Sequence, residues 1–216
     1  MKKGSGRGGF QYWEDRAYRF TENQRFITGE DTENRIDNWL SDKFKGNEHV
    51  LDLGCGTGRY TGIIASMVGR VVAADRSSSM IEQARKVTES SENVTVQMED
   101  CYITSFSDES FDCVFLGNLL HIVAEPEKVM LEVSRIIRPG GSVITVDYTD
   151  QGMRLAAKLK MIVRYIKVWG LPPGTGHSLG TEEMTVLAES AGFHVHESIL
   201  MGQDTKVACM MARKSS

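Results

Sequence analysis

The sequence predicts an α/β fold: a doubly wound, mostly parallel sheet closed by an antiparallel hairpin. Three observations predict it. From His49 onward, short apolar runs alternate with amphipathic stretches, the rhythm of strand–helix–strand units. The first run passes directly into a glycine-rich turn, VLDLGCGTGRYTG, which spans Val50 to Gly62. The chain then ends on two apolar runs with no helix between them, HVHESILM and KVACMMAR, joined by the turn-forming GQDT.

Each element follows in order. HVLDL reads as the first strand, and RYTGIIASM as a helix opening on the glycine turn. RVVAAD is the second strand, and the serines of SSSMIEQARKVTES suit the N-cap of the next helix. NVTVQM alternates with period two and gives the third strand. FDCVFLG is nearly continuous in apolar residues, as befits a strand covered on both faces. EPEKVMLEVSRII is a helix with Pro126 near its start, which RPGG is expected to end sharply before the fifth strand, SVITVDY. TEEMTVLAESAG is the last helix, stopped by Gly192, and the hairpin follows.

Bulk properties narrow the function classes. At 216 residues the chain holds one α/β domain with a sizeable core. A net charge of −4 gives no global attraction to nucleic acid. No apolar run reaches the ~20 residues of a membrane span. MKKGSGRGGF lacks the apolar centre of a signal peptide and is expected to be a flexible tail over 1–10. Cys55, Cys101, Cys113 and Cys209 are scattered, with no CxxC pair and no ligand-spaced histidine. No metal site is expected, and a reducing cytoplasm suits the free thiols.

The glycine turn admits three ligands. A P-loop needs Lys and then Ser or Thr after its glycines, whereas Arg59 and Tyr60 follow Gly58. A dinucleotide fingerprint spaces its glycines GxGxxG, and here the third glycine comes one place early. Asp75, about 20 residues on, suits ribose recognition in either remaining case. Asp52 separates them, because a carboxylate repels a pyrophosphate and attracts an ammonium. S-adenosylmethionine has a ribose, an adenine and a zwitterionic amino-acid end, and no phosphate.

At this point the residues carry a family likeness. VLDLGCGTG, the acid of VVAAD, MEDC, FDCVFLGNLLHIV and RIIRPGGSVITVD resemble, in that order, the class I S-adenosylmethionine-dependent methyltransferases of the type 11/25 domain. YWEDRAYRF is similar to the YW-x-x-RA-x-x-Y opening of several small-molecule members. The resemblance implies a Rossmann-like sheet of seven strands in the order 3-2-1-4-5-7-6. It also implies a helical cap over 11–45, a methyltransferase domain over 46–216 and an inserted helix–loop lid at about 151–180.

Carried over position by position, it implies that Gly54, Cys55, Gly56 and Gly58 run against the methionine part of S-adenosylmethionine. Asp52 would hold the ammonium directly or through water, and Asp75 would accept from the ribose hydroxyls. Asp100 and the Cys101 N–H would meet the adenine; Arg76, Met80 and Asn118 would complete the cofactor site, with Tyr18 from the cap. Each has a structural alternative: Asp75 as a helix cap, Cys101 as filler, Asn118 as a partner for strand-end backbone.

Methyl transfer from a sulfonium asks the enzyme chiefly to align the acceptor, an effect of ~7–11 kcal/mol. A general base adds 10²–10⁴-fold only where the acceptor must lose a proton. His121, three residues past Asn118, is the candidate base and pocket residue; its alternative is a histidine packed at a strand-to-helix junction. Tyr12, Trp13, Trp169 and His177 are the remaining candidates for the acceptor pocket. GNLL stands where an N/D-PP-F/Y motif would signal amide or exocyclic nitrogen methylation, so a nucleic-acid base is not the expected acceptor. A small-molecule acceptor is expected, with an RNA or protein acceptor, or a non-catalytic cofactor-binding subunit, as competing readings. The segment GMRLAAKLKMIVRYIKVWGLPPGTGHS carries Arg154, Lys158, Lys160, Arg164 and Lys167 and no acid. Such helices lie on membranes or meet acidic partners; the favoured expectation is a solvated charged face with Leu, Ile and Met packed inward.

Overall fold

The computed structural model describes residues 17–46, 48–170 and 178–215. After a single 3-10 turn (Ala17–Arg19) come two helices, α1 (Phe20–Thr28) and α2 (Glu30–Ser41), separated by Gly29. The alternating part then runs β1 (His49–Leu53), α3 (Arg59–Ala65), β2 (Arg70–Asp75), α4 (Ser78–Val87), β3 (Val94–Met98), β4 (Phe111–Gly117), α5 (Pro126–Ile136) and β5 (Ile137–Thr149). It closes with α6 (Leu155–Trp169), α7 (Thr181–Ser190), β6 (Phe193–Met201) and β7 (Lys206–Lys214).

The seven strands form one sheet in the order β3-β2-β1-β4-β5-β7-β6, as the resemblance implies. β1 pairs in parallel with β2 and β4, while β7 is antiparallel to both β5 and β6. The buried faces explain the strand sequences. Leu51, Leu53, Val114 and Leu116 face one core layer with Met130 and Val133 of α5. Val50, Cys113 and Phe115 face the other with Ile36 and Leu40 of α2 and Ile64 of α3. Alternate residues thus serve opposite layers, so β1 and β4 need apolar side chains at nearly every position.

Local signals act where the sequence places them. Ser77 caps α4, its Oγ accepting from the Met80 N–H at 3.1 Å. Pro126 stands in the first turn of α5. Gly192 adopts φ +86 beyond α7, where its N–H closes on the Glu189 carbonyl.

Two expectations are corrected. The helix ends at Ile136, just before RPGG, but the fifth strand begins earlier than the expected SVITVDY. The chain enters β5 at Ile137 and carries Arg138–Gly141 inside the strand, with a register shift opposite Phe111–Cys113. Gly141 permits the close approach, since a Cβ there would lie 2.8 Å from the Asp112 carbonyl oxygen. The second correction concerns α6. Ala157, Met161, Tyr165 and Val168, with Lys158 and Arg164, are the partly buried positions, while Leu155, Leu159, Ile162, Val163 and Ile166 face solvent. The helix has two apolar faces, and among the described residues only one is covered.

Candidate active site

The carboxyl ends of β1, β2, β4 and β5 converge on the glycine turn, the edge where open α/β sheets take ligands. The turn begins where Gly54 and Cys55 donate their N–H groups to the Ala74 carbonyl of β2, at 2.7 and 3.0 Å. Gly54, Gly56 and Gly58 all have φ between +53 and +82, a conformation that L side chains resist. Gly58 also packs tightly, since a Cβ would meet the Ala84 Cα at 3.0 Å, whereas a Cβ on Gly56 would meet nothing within 4 Å. Gly58 therefore seats α3 against α4, and Gly56 presents bare backbone to open space.

Asp75 bridges the turn and the next helix. Its Oδ2 accepts from the Gly56 N–H at 2.9 Å and its Oδ1 from the Ser77 N–H at 2.8 Å. As a carboxylate it can only accept, and it offers about four lone-pair sites in all. Asp52 lies beneath, 1% exposed, accepting from the Thr61 hydroxyl at 2.5 Å. Burial, with repulsion from Asp75, pushes its carboxyl up to about 7 despite the Thr61 hydrogen bond. The expected direct ammonium contact is thus not presented by an open side chain: Asp52 acts from below the turn. Asp75, joined by Asp52 once pH rises above about 7, makes the turn hostile to phosphate.

The loop after β3 separates two adjacent acids. Glu99 accepts from Gln97 at 2.8 Å and from the Ser105 N–H at 2.9 Å, and also binds the Ser105 hydroxyl. The Asp100 carboxylate accepts from the Tyr102 N–H at 3.1 Å, lies 3.9 Å from Arg76 and remains partly exposed. Glu132 anchors the loop from α5 through the Thr104 N–H and hydroxyl at 2.7 and 2.6 Å. Cys101 is no nucleophile: burial and the charges of Asp100 and Asp75 push its thiol up to about 12. Met80 is 3% exposed behind Asp75, and Cys55 is 8% exposed.

At the end of β4, Asn118 adopts φ +57, and its buried Oδ1 has no hydrogen-bond partner among the described residues. Strain together with an orphaned acceptor marks a site built for something else to satisfy it. Three residues on, His121 Nδ1 lies 2.5 Å from Oδ1 of Asp147, whose side chain is fully buried at the end of β5. Asp147 Oδ2 also accepts from the Leu120 N–H at 3.2 Å. The carboxylate can only accept, so it holds the proton on Nδ1 and leaves Nε2 as the basic nitrogen of a ring that is 24% exposed.

Sequence reading missed Asp147, although the acid of TVDY ends a strand at the ligand-binding edge. It also missed a hub behind the site. Glu33 of α2 is 1% exposed and accepts from Tyr148 Oη at 2.8 Å and Thr28 Oγ1 at 2.6 Å. Arg59, the residue after Gly58, lies 2.9 Å from Glu33 and donates to both oxygens of Asp37. α1 and α2 are thus tied to the glycine turn and to the residue after Asp147.

Tyr18 is 83% exposed on the 3-10 turn and makes no packed contribution to the site. Tyr12, Trp13 and His177, like the tail over 1–10, lie outside the described residues, as does the side chain of Trp169. A depression of about 500 Å³ lined by Lys43, Lys45, Asp112 and Arg138 opens at the amino ends of β1 and β4, away from the convergent groups. Among the described residues no cluster of His, Cys, Asp and Glu could hold a metal, and no helix is long and apolar enough to cross a membrane.

Residues 51–145 match the model of a methyltransferase domain. The chain is 34% identical over 111 residues to a demethylmenaquinone methyltransferase of Clavibacter sepedonicus, covering 51% of this chain and 45% of that protein. It is 29% identical over 153 residues to a ubiquinone biosynthesis O-methyltransferase of Coxiella burnetii, covering 68% and 64%. Each match therefore spans less than two thirds of the relative's length. Among solved structures, a SAM-dependent methyltransferase from Aquifex aeolicus superposes with a TM-score of 0.70 at 20% identity, covering 93% of this chain and 97% of that one.

Proposed function

We propose that this chain, whose residues 51–145 match a methyltransferase domain, is a class I S-adenosylmethionine-dependent methyltransferase that methylates a small-molecule acceptor at a proton-bearing oxygen. The observation that carries the reading is the His121–Asp147 pair beside Asn118 at the carboxyl edge of the sheet.

The residues fit S-adenosylmethionine. Gly56 offers bare backbone in open space, Asp75 places an acceptor-only carboxylate at the end of β2 where ribose hydroxyls would lie, and among the described residues Asn118 Oδ1 has no donor. When bound, the cofactor supplies an electrophilic methyl group on a sulfonium. The chain's own work is on the acceptor. His121 Nε2 takes the proton from the acceptor hydroxyl, making it a stronger nucleophile. Asp147 fixes the ring and stabilises the imidazolium that forms, in the manner of a carboxylate behind a catalytic histidine. Asp52 places negative charge under the turn, which favours an ammonium group above it. Relatives named demethylmenaquinone methyltransferase and ubiquinone biosynthesis O-methyltransferase support a small-molecule acceptor, and the second name supports oxygen as the methylated atom.

Calorimetric titration with S-adenosylmethionine, S-adenosylhomocysteine and NAD tests the cofactor. Binding of NAD alone would refute the reading. A panel of phenols, hydroquinones and aliphatic alcohols, with labelled methyl donor, then tests the acceptor. Turnover confined to amines or thiols would overturn the hydroxyl assignment.

A further inference from the structure

The uncovered face of α6 stands apart from the methyl-transfer reading. Leu155, Leu159, Ile162, Val163 and Ile166 are between 40% and 86% exposed. At 100° per residue they fall within an arc of about 100°, one continuous stripe along a helix about 22 Å long. Four cations flank it, Arg154 and Lys158 on one side, Lys160 and Lys167 on the other, and the helix carries no acid. Among the described residues Arg154 and Lys167 form no ion pair, whereas Lys158 meets Asp150 and Lys160 lies 3.6 Å from Asp204.

We propose that α6 docks this protein onto an anionic lipid surface, with the stripe in the acyl boundary and the flanking cations at the headgroups. The chemistry separates this occupant from a second copy of the chain. Two copies meeting stripe to stripe would bring cationic flanks together with no acid on either helix to offset them. Anionic headgroups meet both flanks at once, and long basic side chains reach outward from an immersed apolar face. The overall charge of −4 makes the local concentration of cations more telling. The helix is too short to span and amphipathic enough to lie flat. α6 follows β5, the strand that carries Asp147, after the five-residue connection 150–154.

The test is flotation of the full chain with vesicles of phosphatidylcholine alone, or with about one third phosphatidylglycerol. Binding to the anionic vesicles, at least tenfold tighter than to neutral ones, is expected. Lys160→Gln with Lys167→Gln should weaken it by about 30-fold, roughly fivefold per cation. Leu159→Gln with Val163→Gln should weaken it at least tenfold. All four side chains are exposed, so circular dichroism and melting should not change, and a variant failing that control would be replaced by Leu155→Gln with Ile166→Gln. Absence of vesicle binding, or binding indifferent to the stripe substitutions, would overturn the proposal. So would a concentration-dependent dimer that the stripe variant dissociates without any vesicle binding.

Discussion

Replacing Asp52 by Asn separates the stability of the turn from its charge. Asp52 is 1% exposed, and its carboxyl midpoint moves from an ordinary 3.8 to about 7, with burial as the main cause. Below pH 4 the side chain is neutral in both folded and unfolded chains and costs nothing electrostatically. As pH rises from about 4 to 7 the unfolded chain releases its proton while the folded one retains it, so stability falls. Above pH 7 the full difference applies, about 4 kcal/mol at 1.36 kcal/mol per pH unit. Asn keeps an acceptor for the Thr61 hydroxyl and carries no charge. The ligand-free variant should therefore exceed the parent by about 2 kcal/mol at pH 5 and about 4 kcal/mol at pH 8. In melting temperature, the advantage should widen by roughly 5–10 °C over that interval, for a chain of this size. Paired melting curves at pH 5, 6, 7 and 8 measure it. A variant no more stable than the parent at pH 8, or an advantage independent of pH, would refute the argument. The same substitution should weaken S-adenosylmethionine binding about tenfold or more, since the negative charge is lost.

Asp147→Asn should lower methyl-transfer turnover about 10²–10⁴-fold with little change in S-adenosylmethionine affinity, because it frees the His121 ring to take the wrong tautomer. His121→Ala and the double variant should fall to the same level, a non-additivity read from steady-state kinetics. Asp75→Ala should raise the dissociation constant for S-adenosylmethionine about 10–150-fold, the loss of a charge-assisted hydrogen bond, measured by calorimetry. Glu33→Ala removes one member of a buried charged hub and should destabilise the fold by about 3–5 kcal/mol in urea denaturation. Tyr148→Phe should cost only about 1 kcal/mol by the same assay. Gly58→Ala, at φ +82 and against the Ala84 backbone, should cost at least about 1 kcal/mol.

The sheet was legible because β1 and β4 are apolar at almost every position and the hairpin linker carries Gly202 at φ +92. The glycine turn and His121 were legible for a local reason: their meaning lies in neighbours a few residues away. Asp147 was not, because its partner is 26 residues distant and its sequence context reads as an ordinary strand end. Glu33 was hidden more deeply. EDTENRIDNWLS is polar in appearance, and only the fold brings Tyr148, Thr28 and Arg59 to its one buried carboxylate. In α6 periodicity showed apolar residues but could not say which face the body of the protein would take, and the covered face holds Met161 and Tyr165 instead.

Adjacent residues of β5 point to opposite sides, Asp147 towards His121 and Tyr148 towards Glu33. Anyone grafting the leading helices of another homologue onto this scaffold, in order to change what it accepts, inherits a constraint. A transplant without the Glu33 carboxylate would leave the Tyr148 hydroxyl proton without its acceptor and Arg59 with Asp37 as its remaining carboxylate, and the backbone would shift to compensate. That shift would begin one residue from the group that orients the base, so selectivity and rate can be redesigned independently only if the graft carries its own acid at that position.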